Sequence, residues 1–450
     1  MFQNSGLSLE QAPPIGVIMR FFLVGSIFGF LGGILLAVLG SNFLNFSSSY
    51  TVILTHIFTI GMMSSFMVGA LFQMLPVLAG AVIKNPVING YFFQIFMISA
   101  LILFVVDLIW HFSEGLNFGG IFLATAMIFI GIEFSIFLNQ IKTFSPSAKA
   151  MAFAVGNLVM VGLLAIELLS ILGGRGAFFD SLTYQTTKEL HIFFGILAWA
   201  FILICAVSFQ VVEMFYVTKA FPVKLAKRIP ELLSAALIFK SLYLAGAANI
   251  ILKLPNNLAY IVDIIIGLTI LTYALIMIKN LFSQKRKVIE ATILFWRVGI
   301  ASLIVFSILF LFRAVLKLIG NFDLIFPSDA NFFNLGMIIF FGIFIFSIIF
   351  AMVYKIVPFL VWFHLNAKGY FDAPMMHEVI SPKYAKKHFY LHLGIIFTAF
   401  IALFFSSFWQ ILGILIAISF FILFWAIKKA YDKYKYVEKH GKKFDFPSTN

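Results

Sequence analysis

Tyr50–Gly80, YTVILTHIFTIGMMSSFMVGALFQMLPVLAG, contains no Asp, Glu, Lys or Arg. Coiled as an α-helix at 1.5 Å per residue it is about 46 Å long, more than the ~30 Å hydrocarbon core of a bilayer. Such a run reads as a membrane-crossing helix, and the surrounding chain has the same character. Of its 450 residues 62% are hydrophobic, 18% aromatic and 11% charged, whereas soluble domains are roughly 45–50% apolar and about 25% charged. The mean hydropathy of +1.06 and the 59 phenylalanines exclude a disordered chain, a secreted disulfide scaffold and a nucleic-acid-binding domain as the main reading. The one cysteine, Cys205, allows no intrachain disulfide and no cysteine-based metal or iron–sulfur site. The first cation is Arg20, and the apolar stretch after it is long enough to span, so no cleavable signal is expected.

The same ruler predicts twelve spans, roughly 16–40, 50–80, 91–111, 117–141, 148–172, 189–218, 230–252, 257–280, 291–319, 331–363, 388–406 and 408–428. Only Ser406, Ser407, Phe408 and Trp409 separate the last two. Basic residues cluster in alternate connections: Lys219, Lys224, Lys227 and Arg228, then Lys285, Arg286 and Lys287, then Lys386 and Lys387, then the tail from Lys428 to Lys443. The other connections carry Arg175, Lys188 and Lys253. By the positive-inside rule both termini face the cytoplasm, and the net charge of +13 is a matter of topology. The chain is read as one transmembrane domain, 1–450, whose basic cytoplasmic tail, 429–450, is a solvated anchor that can also touch anionic lipid. Its Phe- and Lys-rich composition is associated with bacteria, so a bacterial plasma membrane is expected.

Spans 2, 6 and 10 share a pattern of small residue, two apolar residues, aromatic, Gln or Lys, two apolar residues, then Pro or Glu. The matching stretches are Gly69–Pro76 around Gln73, Ala206–Glu213 around Gln210, and Ala351–Pro358 around Lys355. Spans 2 and 6 also share His-Ile-Phe, at His56 and His191, where span 10 has Asn334 and Gly336. The chain therefore reads as three pseudo-repeated four-helix units, about 1–145, 146–282 and 283–428.

Ionisable groups at membrane depth cost several kcal/mol unless paired, so each is a functional candidate. They are Asp107, Glu133, Glu167, Glu213, Lys240, Asp263, Arg297, Arg313, Lys317 and Lys355, with His56 and His191. The two histidines are expected near the outer ends of their spans. Imidazole there suits haem iron or copper, or is a satisfied interior residue. Met62, Met63, Met67 and Met74 are either soft copper ligands or core filling. Arg313 and Lys317, one turn apart at the same outer level, can neutralise carboxylates such as haem propionates, or snorkel. On the cytoplasmic side lie His364, His377, His388 and His392. The i, i+4 spacing of His388 and His392 puts both rings on one helical face, as a transition-metal site requires, while the bland reading places them at headgroup level. Pro76 and Pro358 are expected to break their helices.

Thr55–Gly61 with Gly69–Pro76, the Gly195–Phe215 stretch, and Tyr354–His364 resemble the catalytic subunit I of the haem-copper oxidases, and more narrowly oxidase-subunit-I-like and NnrS-like membrane proteins. The resemblance implies an all-α polytopic bundle of that architecture, and haem, of b type, as cofactor. It implies His56 as the low-spin haem ligand, His191 as a copper-type ligand, and a cytochrome c or other redox subunit as partner. The sequence departs from the family where span 7, Pro230–Lys253, lacks a histidine pair and outer span 10 lacks His-x-His. A complete haem-copper dinuclear centre and ordinary oxygen reduction are therefore not expected, and His191 becomes the candidate second axial ligand for His56.

Two functions of different class follow, and a bland third beside them. One is a membrane haem protein, an oxidoreductase if an enzyme, in electron transfer or nitric oxide handling, with His56, His191, Arg313 and Lys317 at the cofactor and His364, His388 and His392 as further metal candidates. The other is a transporter or channel for a metal ion, proton or small solute, with Gln73, Gln210, Glu213, Lys240, Asp263 and Lys355 along its route. A third is an accessory subunit whose buried charges merely pair.

Overall fold

The structure, a computed structural model, describes residues 11–45, 48–110, 117–178, 182–246, 255, 257–286, 288–322, 332 and 335–443. Lys253 and Asn334 lie outside them. The described residues are helical throughout, apart from one isolated bridge, Tyr370↔Lys443. Twelve long helices follow in order: α1 (Ile15–Leu44), α2 (Ser49–Ala79), α3 (Pro86–Trp110), α4 (Phe118–Leu138), α5 (Pro146–Leu172), α6 (Tyr184–Tyr216), α7 (Val223–Leu244), α8 (Leu258–Phe282), α9 (Ala291–Leu318), α10 (Leu335–Ala367), α11 (Pro382–Ala402) and α12 (Phe408–His440). Ten are long and apolar enough to cross a membrane; α7 and α11 fall outside that set. The first turns of α7 carry Lys224, Lys227 and Arg228, and those of α11 carry Lys383, Lys386 and Lys387.

Helical geometry follows from the solvent: in hydrocarbon every N–H and C=O must be satisfied within the segment. The helix starts are locally encoded. Ser145 accepts from Ala148 N ahead of Pro146, Asn117 accepts from Gly120 N, and Thr183 and Thr186 cap each other reciprocally. The helix of α12 runs on to His440, twelve residues past the predicted end of the span. Polar i, i+4 pairs, Lys428–Asp432 and Tyr434–Glu438, carry it beyond the apolar run. Lys368 clamps this extension through Glu438 at 2.5 Å and Tyr434 at 2.8 Å. Burial pulls its ammonium down, but those hydrogen bonds outweigh burial and hold it above the ordinary lysine range. Pro358 does not break α10, which continues to Ala367. The cost of freeing further backbone groups in hydrocarbon exceeds that of the one donor the proline lacks. Pro76, in contrast, lies within the last turn of α2, which ends at the left-handed Gly80.

Backbone packing divides the chain into two units. The first contains Gln73–Lys287 and Gly299–Phe344; the second contains Pro13–Phe72, Val288–Val298 and Ile345–Asn450. In the first, glycines bring α4 and α5 together: a Cβ at Gly131 would meet Val155 O at 2.9 Å, and one at Gly162 would meet Ala124 O at 2.8 Å. In the second, α1 and α12 meet along Gly29 and Gly33 on one side and Gly413 and Ala417 on the other. A Cβ at Gly33 would stand 2.5 Å from Ala417 N and 2.9 Å from Gly413 O. Without a hydrophobic drive between helices in lipid, such close backbone approach is the main source of packing energy.

Helices α2, α6 and α10 are the most enclosed. Their apolar windows are 67, 83 and 72% buried, against 33–50% for the other seven spans. Each contains a π-helical stretch, Ile57–Ser64, Phe194–Phe201 and Ile338–Ile345. The stretches begin 16 or 17 residues before Gln73, Gln210 and Lys355. N-terminal of Gly61, Ile196 and Ile343 one face of each helix is half open; beyond those points nearly every side chain is buried.

Gly33→Leu should lower stability by roughly 1–3 kcal/mol through overpacking against α12, read as an earlier thermal transition in detergent. Gly156→Leu, where an added Cβ meets nothing within 4 Å, should melt as the wild type does.

Candidate functional site

His56 and His191 are each the eighth residue of their helix. Each sits on the half-open face just before or at the onset of a π-helical stretch. His56 Nδ1 lies 2.8 Å from the carbonyl of Val52, one turn back. His191 Nδ1 lies 3.1 Å from the carbonyl of Val161 on α5. Only a protonated Nδ1 can bond a carbonyl, so in both rings the lone pair resides on Nε2. That is the tautomer of a metal-ligating imidazole, and the carbonyl supplies the orienting contact such ligands use. One turn on from His191, a Cβ on Gly195 would meet nothing within 4 Å. His56 belongs to one packing unit and His191 to the other.

Around His191, four helices contribute charge. Lys240 on α7, 2% exposed, donates to Glu189 Oε1 on α6 and to Asp263 Oδ1 on α8, both at 2.8 Å. Its ammonium also stands 4.8 Å from the centre of the Phe193 ring. Arg313 and Lys317 on α9 act electrostatically on Glu189, and Arg313 acts on Asp263 as well. Three cations thus face two carboxylates at the level of His191. The carboxylates that Arg313 and Lys317 act on here are the protein's own, Glu189 and Asp263. Lys240 and Asp263 come together as membrane-depth charges must. Their third partner, Glu189, was not among the sequence candidates, since it falls at the predicted edge of a span; its one signal was proximity to His191.

The cytoplasmic-side histidines fall into separate places. Helix α11 begins at Pro382, six residues before His388, so both His388 and His392 sit inside the helix, and both are buried against protein rather than exposed at its surface. The i, i+4 spacing does bring the rings to one face, against Phe295 and Phe350. His388 Nδ1 bonds Tyr354 Oη at 2.8 Å and its Nε2 bonds Ser419 Oγ at 2.6 Å. His392 Nε2 bonds Ser347 Oγ at 2.7 Å, and its buried Nδ1 has no hydrogen-bond partner. His364 packs against Phe363 near the end of α10. Among the described residues no group of three or more His, Cys, Asp or Glu side chains has the arrangement to hold a metal ion.

The remaining candidates divide by partner. Lys355, 7% exposed, donates to Glu290 at 2.5 Å. Gln73 is buried and its Oε1 has no hydrogen-bond partner, Gln210 is half-buried, and Glu213 is exposed one turn from the end of α6. Asp107 accepts from Gly119 N in the first turn of α4, and Glu167 accepts from Phe178 N in the connection between α5 and α6, so each carboxylate satisfies a backbone donor.

Lys240→Met takes the ammonium from the buried Asp263 and the half-buried Glu189 and should cost about 3–5 kcal/mol, measured as lost folded yield and an earlier thermal transition. Adding Glu189→Gln and Asp263→Asn should recover most of it, because the uncompensated charge is removed with its partner.

Comparison of the chain with models of known protein families and with curated protein sequences gives no match.

Proposed function

We propose that this chain is a membrane haem-binding protein of the haem-copper oxidase-like superfamily, working in electron transfer or nitric oxide handling without a complete dinuclear centre. Both termini face the cytoplasm of a bacterial inner membrane, and a cytochrome c or other redox subunit is the electron partner. The observation that carries this reading is the pair of imidazoles at equivalent places in α2 and α6, each fixed through Nδ1 to a carbonyl so that Nε2 is the basic nitrogen. The threefold repeat is supported by the recurrence of a π-helical stretch at one register from Gln73, Gln210 and Lys355, since such stretches in membrane helices accompany functional sites.

In this role His56 and His191 would each offer Nε2 to iron, and the Val52 and Val161 carbonyls, by accepting from Nδ1, would raise the basicity of that nitrogen. Arg313 and Lys317 hold acidic groups at that level. Haem, when bound, supplies a one-electron iron couple and a place for a small diatomic ligand. A copper ion beside His191 would need further histidines, and α7 contains none, so the donor set fits haem better than a haem-copper pair.

A second reading, transport of a proton, ion or small solute, is favoured by the network of buried Lys240 and Asp263 with half-buried Glu189, because paired charges at membrane depth mark ion pathways. Reduced-minus-oxidised spectra separate the two. The wild type should show a sharp α-band that His56→Ala removes; a band unchanged in that variant contradicts the assignment. Colourless protein whose proteoliposome flux disappears in Asp263→Asn would establish transport instead.

A further inference from the structure

Helices α5 and α7 leave a groove of about 620 Å³ between them. Lys149 and Lys227 stand at the end where both helices begin, and Phe153, Gly156, Met160 and Ile238 form its apolar length. Polar groups on its floor are already satisfied: Asn157 Nδ2 bonds Ser234 Oγ at 2.8 Å. Gly156 keeps the groove open, since no atom lies within 4 Å of where its Cβ would be. From Lys149 to Met160 the helix rises about 16 Å, close to one leaflet of a ~30 Å hydrocarbon core.

The charge at the mouth is lopsided. Glu231 forms ion pairs with both Lys149 and Arg228. Lys227, also at the mouth, is left in excess of that one carboxylate. Two helix N-termini at the same end add positive potential. A basic mouth and an apolar channel about as long as one leaflet is thick match an amphiphile with an anionic head and a hydrocarbon chain. We propose that the α5/α7 groove is a binding site for an anionic phospholipid, its headgroup at Lys227 and Lys149 and one acyl chain along Phe153, Gly156 and Met160. Neither a soluble anion, which needs no channel, nor a zwitterionic lipid, which needs no excess cation, uses both features.

The full-length protein in detergent is tested by native mass spectrometry and thermal melting with added phosphatidylglycerol, phosphatidylcholine or inorganic phosphate. Phosphatidylglycerol should be retained preferentially and raise the melting temperature. Lys227→Gln should weaken it about fivefold, the effect of one basic residue at a membrane surface, and Gly156→Trp should abolish it by filling the channel. Should Gly156→Trp misfold, Lys227→Gln still decides. Equal binding of both lipids, a wild-type response in Lys227→Gln, or equal stabilisation by phosphate alone would overturn the proposal.

Discussion

Hydrocarbon does not solvate polar groups, and that constraint organises everything else in this molecule. Backbone groups are satisfied by helices, and helix ends by side chains such as Asp107, Ser145 and Thr183. Charges are satisfied by one another, as Lys240 is by Glu189 and Asp263, and Lys355 by Glu290. The helices themselves approach through glycine, because lipid offers no hydrophobic drive for their association. A charge kept at such a place at this cost is either structural glue or function. The group centred on Lys240 differs from simple glue in extent, for it gathers side chains from four helices.

The three most enclosed helices divide along their length. Their C-terminal parts are packed solid, whereas the parts carrying His56 and His191 keep an open face. A π-helical stretch lies at the change in each. Widening the helix by part of a residue per turn rotates everything upstream relative to everything downstream, so one continuous helix can pack one face in its lower half and present a different one above. The imidazoles are thus held on backbone anchored by the buried halves. This is the rigid support a ligand site requires.

Much of this was legible in the amino-acid order. Apolar runs located twelve long helices, ten of them long and apolar enough to cross a membrane rather than the twelve expected, and the weakest boundary, at Ser406 and Ser407, falls in the turn between α11 and α12. Partnerships were less legible. Glu189 and Glu290 lie in sequence near the ends of spans, where a carboxylate reads as an ordinary interfacial residue, yet each pairs with a lysine from another helix. His388 and His392 sit beside Lys386 and Lys387, which suggested the surface; the extra helical turn from Pro382 carries them into the core. Glu213 matches the proline of the repeat pattern and still ends exposed, because a shared sequence register does not fix which face of a helix is covered. The π-helical stretches have no sequence rule that would have located them.

The central claim is that the imidazoles of α2 and α6 are haem ligands. Its most direct test is haem and iron content per chain, by pyridine haemochrome and elemental analysis, of protein purified from haem-replete cells. The account predicts haem and iron in equal amounts, close to a whole number per chain. Iron-free protein with no haemochrome would contradict it.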